Sequence, residues 1–218
     1  SSIPLHSGWN WIGYLPTTTL PITVALQSLE GQYQWVLSGD PNIAYNPAEP
    51  LYSFLRQLEP GRGYLIHATN SVTLTYPAET EITGLDELPG AAGATNVACN
   101  AISPTPQMML LYGDIDVGEN PAPPGTRVEA ITPRGDIAGC FTVQHTGVFG
   151  YMYVYGEDAT ATPLIGGFQD GEPLSFRVNG LVADSDVTIL WRDDRLPQLG
   201  KLSGTLPNIY MPIIIKAN

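Results

Sequence analysis

Glycine and proline punctuate this chain, with 23 and 20 of them among 218 residues. Glycine admits backbone conformations that other residues avoid, and proline interrupts helices and ladders. Few long helices and many short elements joined by turns are therefore expected. At this length, with 43% hydrophobic residues, the chain can bury a sizeable core. The expectation is a mostly β protein.

The net charge is -12, with only two lysines, Lys201 and Lys216. An acidic surface repels phosphate backbones, which excludes nucleic acid as a partner and argues against an anionic membrane surface. No run of about 18 apolar residues occurs, so no membrane insertion is expected. The chain opens at Ser1-Ser2-Ile3 without a start methionine, as expected of an exported protein after signal removal. A secreted, cell-surface location is expected. In such a protein Cys99 and Cys140 form one disulfide; two buried thiols are the alternative. The bond would close a loop of about 40 residues, worth on the order of 3–4 kcal/mol.

Residues 1–77 read as a small α+β module. Gly8 to Leu15 alternates like a strand, with Trp9 and Trp11 on one face and both read as core. Ile22, Ala25, Leu26 and Leu29 have helical spacing, as do Leu51, Phe54, Leu55 and Leu58. Tyr33 to Leu37 reads as a strand, and Tyr64 to Ala68 with Val72 to Tyr76 as a hairpin. Residues 78–106 lose periodicity, gather Glu79, Glu81, Asp86 and Glu87, and read as a linker that Cys99 staples to a second module. That module, residues 107–218, reads as a β-sandwich. Its strands are expected at 108–116, 127–132, 137–143, 151–155, 174–178 and 187–191, with a seventh place open to 209–215. Asn179-Gly180 marks a hairpin.

Two resemblances accompany these patterns. Leu5-x-x-Gly8-Trp-Asn-x-Ile-Gly-Tyr14, a helix, and Leu58-Glu-Pro-Gly-Arg-Gly-Tyr-Leu-Ile-His67 resemble a module of large secreted bacterial surface proteins, known mostly as an appendage. Tyr112-Gly-Asp-x-Asp-Val117, Pro121-Ala-Pro-Pro-Gly-Thr126, Gly139-Cys-Phe-Thr-Val143 and Asp170-Gly-Glu-x-Leu-x-Phe-x-Val-Asn-Gly180 resemble the immunoglobulin-like, carboxypeptidase-regulatory-like sandwiches of such proteins. That resemblance implies an immunoglobulin-like antiparallel β-sandwich used for adhesion, spacing or display. It also agrees with pairing of Cys99 and Cys140.

Three kinds of site are suggested. Trp35, Tyr45 and Trp191 are candidates for contact with a glycan, since aromatic faces stack on apolar surfaces. Asp114 and Asp116, Glu157 and Asp158, Asp170 and Glu172, and Asp184 and Asp186 lie at strand ends or turns and could supply oxygen ligands to calcium. No cofactor other than calcium is expected. His6, His67 and His145 share no metal spacing. No nucleophile elbow, zinc-protease motif or phosphate loop occurs, so the chain is expected to be non-catalytic.

The third site is the tail. Termini are usually polar, yet Ile209, Tyr210, Met211, Ile213, Ile214 and Ile215 form an apolar strand-like run broken only by Pro212. It needs a groove, its own or that of another copy. If another copy supplies it, the tail adds as a strand and builds an open filament or surface layer, and the chain is a self-assembling structural protein. The N-terminal Ser1–Leu5 could serve the same way. The other expectation is a carbohydrate-binding or adhesive module of a larger secreted protein, its tail folded into its own sandwich.

Overall fold

The computed structural model describes residues 2–39, 43–78, 99, 102–194 and 197–204. Strands hold 49% of them and helices 6%. In the first module β1 (Ser2–Leu5), β2 (Gly8–Gly13), β3 (Leu20–Pro21), β4 (Tyr33–Ser38), β5 (Ala44–Tyr45), β6 (Gln57–Leu58), β7 (Gly63–Ala68) and β8 (Val72–Thr75) surround one short helix, α1 (Ile22–Ala25). A four-stranded antiparallel sheet runs β2-β7-β4-β5, while β1 pairs with β8 and β3 with β6. One face of the sheet presents Ile12, Val36, Tyr45, Tyr64 and Ile66 to Ile22, Ala25, Leu26 and Leu29, and these close the module's own core.

Several local expectations change here. The strands of the expected hairpin exist, but β7 joins the central sheet and β8 pairs with β1. The N-terminal strand is thus held by its own chain. The helical spacing of Leu51, Phe54, Leu55 and Leu58 does not make a helix. A 3-10 turn covers Pro50–Tyr52, and the chain then extends so that Leu58 lies opposite Leu20. Leu55 and Leu58 enter the module core while Phe54 leaves it for the second module. Two destinations produce the spacing, not one helix face.

The second module contains β9 (Met108–Val117), β10 (Asn120–Pro121), β11 (Arg127–Ile131), β12 (Ile137–Thr142), β13 (Val148–Tyr155), β14 (Ser175–Val178), β15 (Leu181–Ser185) and β16 (Pro197–Gly204). The order is β10-β9-β13-β12-β11-β14-β15-β16, and β16 pairs in parallel with β9. Seven strands therefore close a barrel-like sheet. Asn179 and Gly180 both have positive φ, +50° and +81°, and turn β14 into β15 as their sequence predicts.

Two strands depart from the expected set. The seventh place, expected of residues 209–215, is filled by β16. Residues 187–191 are not a named strand. They run beside residues 172–174, where Leu174 N–H reaches Ile189 O and Trp191 N–H reaches Glu172 O. The tail residues Ile209 to Ile215 lie outside the described residues.

The two modules share a third cluster. Leu37, Ala44 and Leu65, on the outer face of the first sheet, pack against Leu110, Tyr112, Tyr151, Tyr153 and Tyr155. This explains the run Val148 to Tyr155, in which every residue is buried. Met152 and Val154 face the barrel core, and the tyrosines face the first module. A bulge between Phe149 and Met152 shifts the alternation. At Gly150 an added Cβ would stand 2.0 Å from the Phe54 ring, so only glycine lets that ring seat on β13.

Candidate functional site

The aromatic side chains expected to meet a glycan are taken up in packing. Trp191 is buried and donates its indole N–H to Val154 O at 3.0 Å. Tyr45 is buried in the first module's core. Trp35 stands edge-on to Tyr151 and Tyr112, at 5.1 and 6.4 Å between ring centres, inside the seam between modules. Tyr45 and Trp191 offer no open face, and Trp35 is half-buried. Sequence could not tell these positions from surface ones, because an aromatic strand residue suits a core and a platform equally.

Most of the paired acids proposed for calcium are engaged by neighbouring groups. Asp114 accepts the Tyr52 hydroxyl at 3.0 Å. Asp116 meets the Lys201 ammonium at 3.0 Å. Glu172 is paired with Arg134 and accepts the Gln169 N–H at 2.9 Å. Asp158 accepts the Thr160 hydroxyl at 2.6 Å and its N–H at 2.9 Å, and Asp186 accepts the Lys201 N–H at 3.0 Å. These bonds have electrostatic signatures. The Arg134 hydrogen bond holds the Glu172 carboxyl below its ordinary range, and the Thr160 hydroxyl does the same for Asp158. Among the described residues, no three His, Cys, Asp or Glu side chains gather as a metal shell. Glu157, Asp158 and Asp170 do meet at one place. With Asp193, Asp194 and Arg192 they rim a cleft of about 740 Å³ over Phe168 and Trp191. There Asp193 accepts the Met108 N–H at 3.0 Å, joining the segment after Trp191 to the start of β9.

Cys99 and Cys140 are bonded, with Cα atoms 5.5 Å apart. The bond ties the end of the connector to β12, as the cysteine count led us to expect.

One surface that the sequence does not reveal is the outer edge of β2. The strand alternates as expected, but in the reverse sense. Trp9 and Trp11 lie opposite His67 and Leu65, on the face turned away from the module core, while Ile12 points into it. Trp9 is half-buried against His67. Trp11 is 73% exposed. β2 ends its sheet, and among the described residues no strand pairs with its outer side. The Tyr14 N–H bonds to Arg62 O on the β7 side, so by alternation the backbone groups of Trp9 and Trp11 point outward. One outward carbonyl, that of Gly13, accepts the Tyr76 hydroxyl at 2.9 Å. The signal that could have found this edge is the absence of any charge or proline in Gly8-Trp-Asn-Trp-Ile-Gly13.

Compared with protein-family models, with curated proteins and with solved structures, the chain matches none.

Proposed function

We propose that this chain is a non-catalytic, extracellular structural subunit of a cell surface. Copies are joined when the apolar C-terminal segment Ile209 to Ile215 adds as a strand to a neighbour. One observation carries the reading: the barrel's ladder is already closed by Pro197–Gly204, paired with β9 over eight positions. The tail is not needed to complete its own module. A segment rich in isoleucine has high strand propensity, and strand addition would satisfy its main chain and cover its side chains. Such exchange runs head to tail and does not close, so it builds filaments or layers.

The finer fold assignment belongs to the same proposal. We read the closed sheet as a flattened immunoglobulin-like sandwich, because its seams are uneven. A single position, Gly139 opposite Val154, joins β12 to β13, and three join β15 to β16. The Cys99–Cys140 bond supports an oxidising, extracellular location.

Light scattering and negative-stain microscopy of the full chain test the reading, beside a chain ending at Thr205. Filaments or large oligomers from the full chain alone are expected. A full chain that stays at 23.5 kDa, or a truncated chain that still assembles, would overturn it.

A further inference from the structure

Strand addition needs an acceptor edge, and each of the seven strands of the closed sheet already has a partner on both sides. Among the described residues the remaining edges differ in length. β3, β5, β6 and β10 are two residues each, β1 and β8 four, and β2 six. β2 is also undefended apart from its Gly13 carbonyl, which the Tyr76 hydroxyl takes. Natural edge strands are blunted by charge, proline or a bulge, and Gly8–Gly13 has no charged residue, no proline and an unbroken register with β7. It carries the exposed Trp11 beside outward-pointing backbone groups. We propose that the outer edge of β2 is the acceptor for the C-terminal strand of a second copy of this chain. This inference rests on the reading of the tail just given and names its receiving site.

The chemistry of the two segments matches. Fourteen residues lie beyond β16, of which Ile209 to Ile215 are apolar apart from the break at Pro212. An extended stretch of seven residues spans about 23 Å and covers a six-residue strand. Proline lacks an N–H, so the strand turns the backbone of Ile209, Met211, Ile213 and Ile215 toward β2 and leaves Pro212 on the outer side, where a ladder tolerates it. Trp11 then packs against an isoleucine, an aromatic–β-branched pair of the kind that stabilises neighbouring strands. The connector, which leaves Tyr76 near Gly13, is the poorer occupant. Its acids, and glycines and alanines at residues 90–94, have low strand propensity.

The test uses the full chain, the chain ending at Thr205, and Trp11→Lys in the full chain. Because Trp11 is exposed, Trp11→Lys is expected to keep the wild-type circular dichroism and melting curve while raising the concentration for half-assembly at least tenfold. A synthetic peptide of residues 206–218 is expected to bind the truncated chain, and the same peptide N-methylated at Met211 and Ile213 is expected not to. In the truncated chain the Trp9 and Trp11 amides should exchange freely with solvent, becoming protected when the peptide binds. If truncation stops assembly and Trp11→Lys does not, the tail reading stands and the β2 site falls. If truncation leaves assembly intact, both fall. Equal binding by the methylated peptide, or amides already protected in the truncated chain, would overturn the β2 site as well. The second result would assign the edge to another segment of the same chain.

Discussion

Gly113 and Gly200 face each other across the parallel pairing of β9 and β16, and a Cβ on Gly113 would lie 1.7 Å from the Gly200 carbonyl oxygen. Its φ of +155° also disfavours a side chain. The obstructing atom is backbone and cannot swing aside, so Gly113→Ala must separate the two strands that close the barrel. The expected cost is about 1–3 kcal/mol or more, read as a lower urea midpoint. Gly8→Ala makes the informative control: its φ is +93° and nothing stands within 4 Å, so only conformational strain, about 1–2 kcal/mol, is expected. The tryptophans give a second contrast at this scale. Trp191 and Trp11 are alike in composition and opposite in setting, one hydrogen-bonded beneath the acidic cleft and the other open to solvent.

At the scale of elements, the bond between Cys99 and β12 ties the connector covalently to the second module. Replacing both cysteines by serine should lower stability by about 3–4 kcal/mol, since the unfolded chain regains the freedom of a 41-residue separation. Denaturant titration of the reduced and oxidised protein checks this; equal midpoints would show that the staple is slack. This pairing and most barrel strands were legible in the sequence because each depends on local chemistry: cysteine count, alternation, and turn residues such as Asn179-Gly180. The features that were not legible depended on partners distant in sequence. Gln198 and Lys201 interrupt the apolar pattern of β16, and its pairing is set by β9, some ninety residues earlier. Phe54 breaks from its helical spacing because Gly150 makes room for it on another module. Trp11 and Ile12 alternate as their sequence predicts, but which side of a strand is inward is fixed only when α1 covers one face of the sheet. The same limit explains why Trp35, Tyr45 and Trp191 looked available.

Across the whole molecule, the tyrosine-rich seam makes the two modules one packing unit, and alkaline pH is the lever on it. Burial, with the Asp114 hydrogen bond adding to it, pushes Tyr52 to about 12, and burial does the same to Tyr155, from an ordinary value of 10.0. A raised phenol favours the neutral form in the fold. Its stabilisation is complete below pH 10, declines above it, and is lost once pH passes about 12. Melting temperature should fall across that window, with tyrosinate absorbance rising in the same transition as loss of β signal. Absorbance that rises first, with the fold intact, would show these hydroxyls to be solvated. The disulfide has a mechanical consequence of its own for a chain pulled from its two ends. Tension entering from the first module reaches Cys99 and crosses through sulfur to Cys140, bypassing the covalent path through β9 and β11. Those strands cannot be drawn out under load, whatever the force on the barrel. In single-molecule pulling, reduction should lengthen the fully extended chain by about 140 Å, the 41 intervening steps at about 3.4 Å each. Oxidation thus sets how far the molecule can stretch under load.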